Sequence, residues 1–315
     1  MMTTRFVLLI GGSGFIGRHL ISQLAKTGYR VVVPTRRFKH AQDLSVVSAV
    51  DAVIEADVHD DATLDRLMIG MDAVINLVGV LHSRPARKDQ AYGDDFKRAH
   101  VDLPRRIVAA CAKHGVPRYV HMSAMGAAEQ APSMYLRSKF AGEREAFSQH
   151  RVATTAFRPS VVFGPEDQFL NMFAAMQKFL PVIPLAGAEA KFQPVYVGDV
   201  ARAFVCALQQ NQTIGNLYEL GGPRIYTLRE LVQLAGAYAG HPRPVIGLPD
   251  LLARLQAWFF ERLPGTPLIS RDNLDSMRVD SVASADMWPE LGLIPTELEA
   301  IAPYYLAPQG ARTTS

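Results

Sequence analysis

The stretch RFVLLIGGSGFIGRHLISQL, residues 5–24, decides the fold. An apolar run, FVLLI, is followed by a glycine turn and then by apolar residues at helical spacing. Within the turn, Gly11, Gly14 and Gly17 stand three residues apart, with Gly12, Ser13, Phe15 and Ile16 between them, giving GxxGxxG. Glycine lets the chain turn tightly there. It also lets backbone N–H groups approach a pyrophosphate at the positive end of the helix. A strand before and a helix after the motif turn a moderately specific pattern into a dinucleotide-site expectation.

The first half of the chain continues the alternation. Strand candidates are YRVVVP (29–34), AVIEA (52–56), AVINLVG (73–79), RYVHMS (118–123) and ATTAFRP (153–159), separated by amphipathic segments such as DATLDRLMIG and VDLPRRIVAACAKHG. Continuous apolar strands separated by helices predict an α/β fold with a doubly wound parallel sheet covered on both faces, a Rossmann arrangement. The expected division is a dinucleotide-binding core over 1–165, to which 195–222 returns, and a smaller substrate- or partner-facing C-terminal lobe over 166–315. The last residues, QGARTTS, read as a loose tail.

Bulk properties narrow the function classes. With 315 residues, 49% apolar, 20% charged and a formal charge of +3, the chain reads as an ordinary soluble protein, without the concentrated basic patch of a nucleic-acid binder. Cys111 and Cys206 are far apart and predict neither a disulfide framework nor a zinc site. The nine histidines form no metal-ligand pair, so no metal is expected, and they read as surface or packing residues. No run of 18 apolar residues is present, and the N-terminus runs directly into the first strand, unlike a signal peptide. A cytoplasmic protein is the expectation, with a peripheral position at the inner membrane surface as the alternative.

The end of the second strand speaks to cofactor choice. An NAD site wants an acid there for the ribose hydroxyls; here Thr35 stands in that place, followed by Arg36 and Arg37. Two guanidinium groups suit a 2′-phosphate, so NADP(H) is the expected cofactor, a solvated basic loop being the plainer alternative. Asp57, with Val58 beside it, is a candidate for the adenine amino group and equally for an acid at a helix start.

SMYLRSKFAGE, residues 133–143, puts Tyr135 four residues ahead of Lys139, one helical turn away on the same face. A phenol with a pKa near ~10 is a poor acid–base catalyst at neutral pH, and a lysine beside it is expected to lower that value. Ser123, in HMSAMGA, follows the fifth strand. In a reductase, Tyr135 would protonate a carbonyl oxygen steadied by Ser123 while Lys139 donates to the nicotinamide ribose.

GGSGFIG, the YxxxK pair and FRPSVVFGPEDQFLNMF together resemble the extended and atypical short-chain dehydrogenase/reductases. More narrowly, they are similar to the branch that holds the NAD(P)-binding accessory subunit of mitochondrial complex I and its bacterial relatives. The resemblance covers residues 5 to about 200 and continues more weakly to the end. It implies a bound nicotinamide dinucleotide, and catalytic roles for Tyr135, Lys139 and Ser123. It places Arg158 and Pro159 at the nicotinamide end, and Asn76 and Gly79 along the cofactor beside the fourth strand. Sugar-nucleotide enzymes share the broader fold. Their longer insertion between serine and tyrosine is missing here, where Ser123 and Tyr135 are only 12 positions apart.

Two readings follow. One is an enzyme reducing a small or lipophilic carbonyl or quinone with NADPH; the other is a non-catalytic NADPH-binding scaffold or sensor with a respiratory or membrane-associated protein partner. A nucleotide-sugar epimerase ranks third, and the balance leans to the enzyme. In PDLLARLQAWFFERLPG (249–265), Leu251, Leu252, Leu255, Trp258, Phe259 and Leu263 predict a core-facing helix. An exposed surface for a membrane, a quinone-like substrate or a partner is the alternative. Met122 and Met125 read as space-fillers, and Asp199 as the cap of the helix after it.

Overall fold

A computed structural model describes residues 5–265 and 267–308; the expected tail QGARTTS lies outside the described residues. The first half builds β1 (Arg5–Ile10), α1 (Phe15–Leu24), β2 (Tyr29–Thr35), β3 (Val50–Glu55), α2 (Asp61–Met68) and β4 (Ala73–Asn76). Then come α3 (Asp94–Phe96), a π-helical segment (Lys97–Asp102), α4 (Leu103–His114), β5 (Arg118–Met122), α5 (Met134–Ala146) and β6 (Ala153–Pro159). The doubly wound reading holds. Seven parallel strands lie in the order β11-β6-β5-β4-β1-β2-β3, where β11 is Leu217–Leu220. The order reverses between β1 and β4, the crevice where such sheets bind ligands.

Strands buried on both sides need apolar residues on both faces, and two cores result. On one face Val7, Leu9, Val31 and Val33 pack with Leu20, Leu24 and Phe204. On the other, Leu8, Ile10, Val74 and Tyr119 pack with Leu64, Leu103 and Ile107. Glycine is required where α1 meets its own turn. A β-carbon at Gly17 would stand 2.5 Å from the Cα and carbonyl oxygen of Gly12, and Gly11 holds φ +86°. At the far end of α4, Gly115 takes φ +70° as the helix terminus, as its sequence position predicts.

The second half alternates short strands with helices. In chain order these are β7 (Val162–Phe163), α6 (Phe169–Phe179), β8 (Ile183–Leu185), β9 (Lys191–Phe192), β10 (Val195–Tyr196) and α7 (Val197–Gln209). After β11 come β12 (Tyr226–Thr227), α8 (Leu228–Tyr238), β13 (Val245–Gly247), α9 (Asp250–Phe260), α10 (Arg271–Ser276), α11 (Trp288–Leu291) and α12 (Ala302–Leu306). Helix α7 covers the sheet beside α1, while α6, α8 and α12 enclose a separate apolar core around Phe173, Leu231 and Leu306. A Thr227–Glu230 capping box starts α8.

Three expectations need correction. The fourth strand ends at Asn76 rather than Gly79, because the Asn76 carboxamide oxygen accepts from Val78 N at 3.1 Å and turns the chain out of the sheet. Asp199 caps nothing. It lies buried in the first turn of α7, accepting from Thr296 N and Oγ1 (2.5 and 3.0 Å) and pairing with Arg202, so it anchors the C-terminal segment. The core-facing reading of 249–265 fails too. Ala253 and Ala257 face inward against Ala186 and Leu274, whereas Trp258 and Phe259 are 40% and 55% exposed, with Leu251, Leu252, Leu255 and Leu263. Helix α9 carries its large apolar residues outward.

Replacing Gly17 with alanine should force the turn and helix apart and cost about 2 kcal/mol or more, as overpacking does. Denaturant unfolding of Gly17→Ala checks this; a midpoint equal to that of the wild type would contradict the packing argument.

Candidate active site

The glycine turn forms a cradle that side chains would fill. Besides the Gly17–Gly12 contact, a β-carbon at Gly12 would press on Leu9 and Val33 at 3.0 Å. Helix α1 starts at Gly14, whose own N–H donates to Gly11 O at 3.1 Å, and no side chain of that cap residue covers the N–H groups that follow it. This geometry fits a pyrophosphate.

At the end of β2, Thr35 is buried and its hydroxyl bonds the backbone of Arg37 (3.4 Å from N, 3.2 Å from O). Its side chain is thereby used to shape the loop. Arg36 and Arg37 are exposed. Asp57 accepts from His59 N at 3.0 Å and pairs with Arg98 at 3.4 Å, with Val58 buried beside it. The α2 cap is instead Asp60, which accepts from Thr63 N, so Asp57 is no helix-start acid.

Helix α5 carries the Tyr–Lys pair. Ser133 caps it by accepting from Leu136 N at 3.1 Å, and Asp272 of α10 accepts from Met134 N and Tyr135 N at 2.7 and 3.0 Å. Three of the helix's orphan donors are thus satisfied. Lys139, buried, donates to the Met122 carbonyl at 3.1 Å, one residue before Ser123; Tyr135, partly buried, packs against the small cluster of Ala124, Ala131 and Leu136. Ser123 Oγ is buried with no hydrogen-bond partner, and its backbone N bonds Phe157 O at 2.7 Å. A lone buried hydroxyl of this kind is positioned to meet a substrate oxygen.

Burial is the leading influence on the ionisation of the pair. Loss of water pushes the Tyr135 hydroxyl up to about 12 and draws the Lys139 ammonium down to about 8, the latter opposed by the Glu143 charge. Lys139 Nζ places one of its donors on Met122 O.

The remaining candidates divide. Gly79 lines the lysine: a β-carbon there would sit 3.4 Å from Lys139 Nζ. Asn76 is buried, and beyond its Val78 contact its amide lies 3.4 Å from both Tyr119 OH and His121 Nδ1. Pro159 pairs with Leu220 in the sheet, and its carbonyl accepts from Met125 N at 3.0 Å. Arg158 is committed elsewhere. It forms a two-pronged pair with Glu143 of α5 (2.7 and 2.6 Å) and reaches Glu219 at 3.7 Å, bolting α5 to the sheet. Met122 and Met125 are buried fillers, as read.

Sequence reasoning missed Asp272, His100 and His121. Asp272 lies 137 residues from Tyr135, and no local signal links them. His100 and His121 are buried, on the packing side of the reading, and their place beside Tyr135 and Asn76 had no local signal.

With the glycine cradle at the switch point described, the sequence matches the NAD dependent epimerase/dehydratase family over residues 7–221. The chain belongs to that family. A curated relative, the mitochondrial NADH dehydrogenase [ubiquinone] 1 alpha subcomplex subunit 9 of Arabidopsis thaliana, is 31% identical over 92% of this chain and 74% of its own length. A ceramide reductase of Caulobacter vibrioides is 30% identical over 78% of this chain and 74% of its length. Among solved structures, MoeE5 in complex with UDP-glucose and NAD superposes with a TM-score of 0.72 at 20% identity, covering 95% of this chain and 97% of that one. This is an NAD(P)-binding epimerase/reductase-type chain with complex I subunit homologues. Among the described residues no helix is long and apolar enough to cross a membrane.

Arg158→Ala would leave the nearly buried Glu143 carboxylate unpaired, which should cost about 3–5 kcal/mol. Affinity for a nicotinamide dinucleotide, measured well below the unfolding temperature, should change less than about twofold, because the contact is structural. A large loss of affinity at unchanged stability would restore the nicotinamide role to Arg158.

Proposed function

We propose that this family member is an NADP(H)-dependent reductase of a small or lipophilic carbonyl or quinone compound. The observation that carries the reading is Lys139, buried and bonded to the carbonyl next to Ser123, on the helix that also carries the partly buried Tyr135. A nicotinamide cofactor, when bound, would supply the hydride. Tyr135, kept protonated at neutral pH by its burial, holds the proton for the carbonyl oxygen, a state suited to reduction rather than oxidation. Ser123 offers its unpaired hydroxyl to the same oxygen. Lys139 spends one donor on Met122 O and has two more for ribose hydroxyls. Preference for the 2′-phosphate rests on Arg36 and Arg37, exposed where an acid is missing.

The lipophilic choice is supported by the outward apolar face of α9, which rides on α10, the helix whose Asp272 holds the start of α5. The relative named as a ceramide reductase points the same way. The short link from Ser123 to Tyr135 argues against a sugar nucleotide. A second reading, a non-catalytic NADP(H)-binding accessory protein of a respiratory complex, is favoured by the Arabidopsis relative.

NADPH oxidation against quinones, ketones and aldehydes, long-chain ones included, tests the enzyme. Tyr135→Phe should lower turnover roughly 10²–10⁴-fold with little change in NADPH affinity, whereas Lys139→Ala should weaken binding. Turnover that survives Tyr135→Phe removes the proton donor; a wild type inactive on every compound favours the accessory reading.

Cofactor choice is checked by calorimetry. The wild type should bind NADPH more tightly than NADH, and loss of Arg36 or Arg37 should cost NADPH about 1.5–3 kcal/mol per charged contact while sparing NADH. Equal affinities in the wild type would sink the assignment.

A further inference from the structure

His100 sits where the cofactor-side loop after β4 meets the Tyr135–Lys139 helix, and nothing above gives it work. The π-helical segment Lys97–Asp102 carries it inward until the ring is 1% exposed; such segments often mark functional sites. Its Nε2 lies 3.0 Å from Val80 N, which can only donate, so Nε2 must be the bare, accepting nitrogen. The proton is then on Nδ1, 2.8 Å from Ser138 Oγ, and the Ser138 hydroxyl donates onward to the Tyr135 carbonyl at 2.7 Å. The chain Val80 N–H, imidazole, Ser138, Tyr135 O is continuous and uniquely polarised.

Packing fixes the ring from its other sides. It stacks on Phe96 at 5.3 Å and meets the Tyr135 ring edge-on at 5.5 Å. A β-carbon at Gly79 would lie 3.9 Å from His100 Nε2 and 3.4 Å from Lys139 Nζ, so imidazole and ammonium converge on one glycine. Burial, with Lys139 and His121 nearby, holds the imidazole well below its usual range and so neutral. An imidazolium would present two donors and leave Val80 N–H facing one of them.

We propose that His100 is a positioning residue: a neutral strut that fixes the Gly79–Val80 peptide against the Tyr135–Lys139 helix and so sets the slot for the nicotinamide half of the cofactor. The proposal rests on the NADP(H) reading. It differs from a packing role in requiring the two ring nitrogens, not the ring.

His100→Phe keeps the flat ring and removes both nitrogens, and His100→Gln restores an oxygen able to accept from Val80 N–H. NADPH dissociation constants are measured by calorimetry at a temperature where each protein is fully folded, beside ligand-free melting. His100→Phe should raise the constant about 5- to 100-fold, the worth of one buried donor left unpaired. His100→Gln should recover part of that. Ser138→Ala, which strips only the Nδ1 partner, should raise the constant about threefold or more, and serves alone if His100→Phe does not fold. A folded His100→Phe, or in its place Ser138→Ala, binding NADPH within about twofold of the wild type overturns the proposal. A wild type that binds no NADPH overturns the cofactor reading itself, a result distinct from equal binding by wild type and variant.

Discussion

Helix α5 lies so close to the segment before α4 that a β-carbon at Gly142 would stand 1.9 Å from the His100 carbonyl oxygen. That contact is possible only for glycine, and the site hangs from it. Lys139, on the same helix, reaches the Met122 carbonyl next to Ser123, and Glu143, next to the glycine, takes the Arg158 fork from β6. The end nearest the chemistry is held by Asp272 and Ser133 on its first N–H groups. The helix is thus fixed along its length by one steric contact, one buried ion pair and one set of caps. Each comes from a different part of the chain. Such over-determination holds reacting groups to the tolerance proton transfer needs.

Burial governs the ionisation of this site more than neighbouring charge does. Tyr135, Lys139, His100 and His121 all shift toward their neutral forms with desolvation as the leading cause. A lysine four residues from a tyrosine predicts a phenol made more acidic. Lys139 places one of its donors on Met122 O, and burial pushes the phenol the other way. For a group that must give up a proton to a nascent alkoxide this is the useful resting state. The cradle around Gly11–Gly17 is different in kind. It acts through backbone N–H groups and a helix end, which keep their polarity however deeply they are buried.

What could be read from the sequence was what is local. The glycine turn, the β-branched strands and the Tyr135–Lys139 spacing each lie within one element and obey its period. Boundaries moved by a residue or two, and AVINLVG was shortened because one carboxamide, Asn76, ended the strand. What escaped reading depends on distant partners. Asp272 reaches α5 across 137 residues, and Asp199 binds Thr296 rather than its own helix. Arg158 was placed by resemblance at the cofactor, but the acid that claims it, Glu143, sits on another element. His100 was read as packing because a π-helical segment leaves no mark in the hydrophobic pattern.

Helix α9 shows why periodicity alone cannot tell inside from outside. Leu251, Leu252, Leu255, Trp258 and Phe259 form a stripe that any core helix might carry. The packed face is instead the alanine face, since Ala253 and Ala257 allow close approach to Ala186 and Leu274 where larger side chains would not fit. Only one side of a single helix can take the close contact, and the bulky residues were left outside. Arg262 lies over the Trp258 ring at 3.6 Å and shields part of it, the favourable pairing of a cation with an aromatic face. The rest of the stripe stays in contact with water at a cost that burial elsewhere must offset. Because α9 is seated on α10 and α10 on the start of α5, an apolar molecule meeting this stripe would do so one helix away from the groups that hold Tyr135 in place.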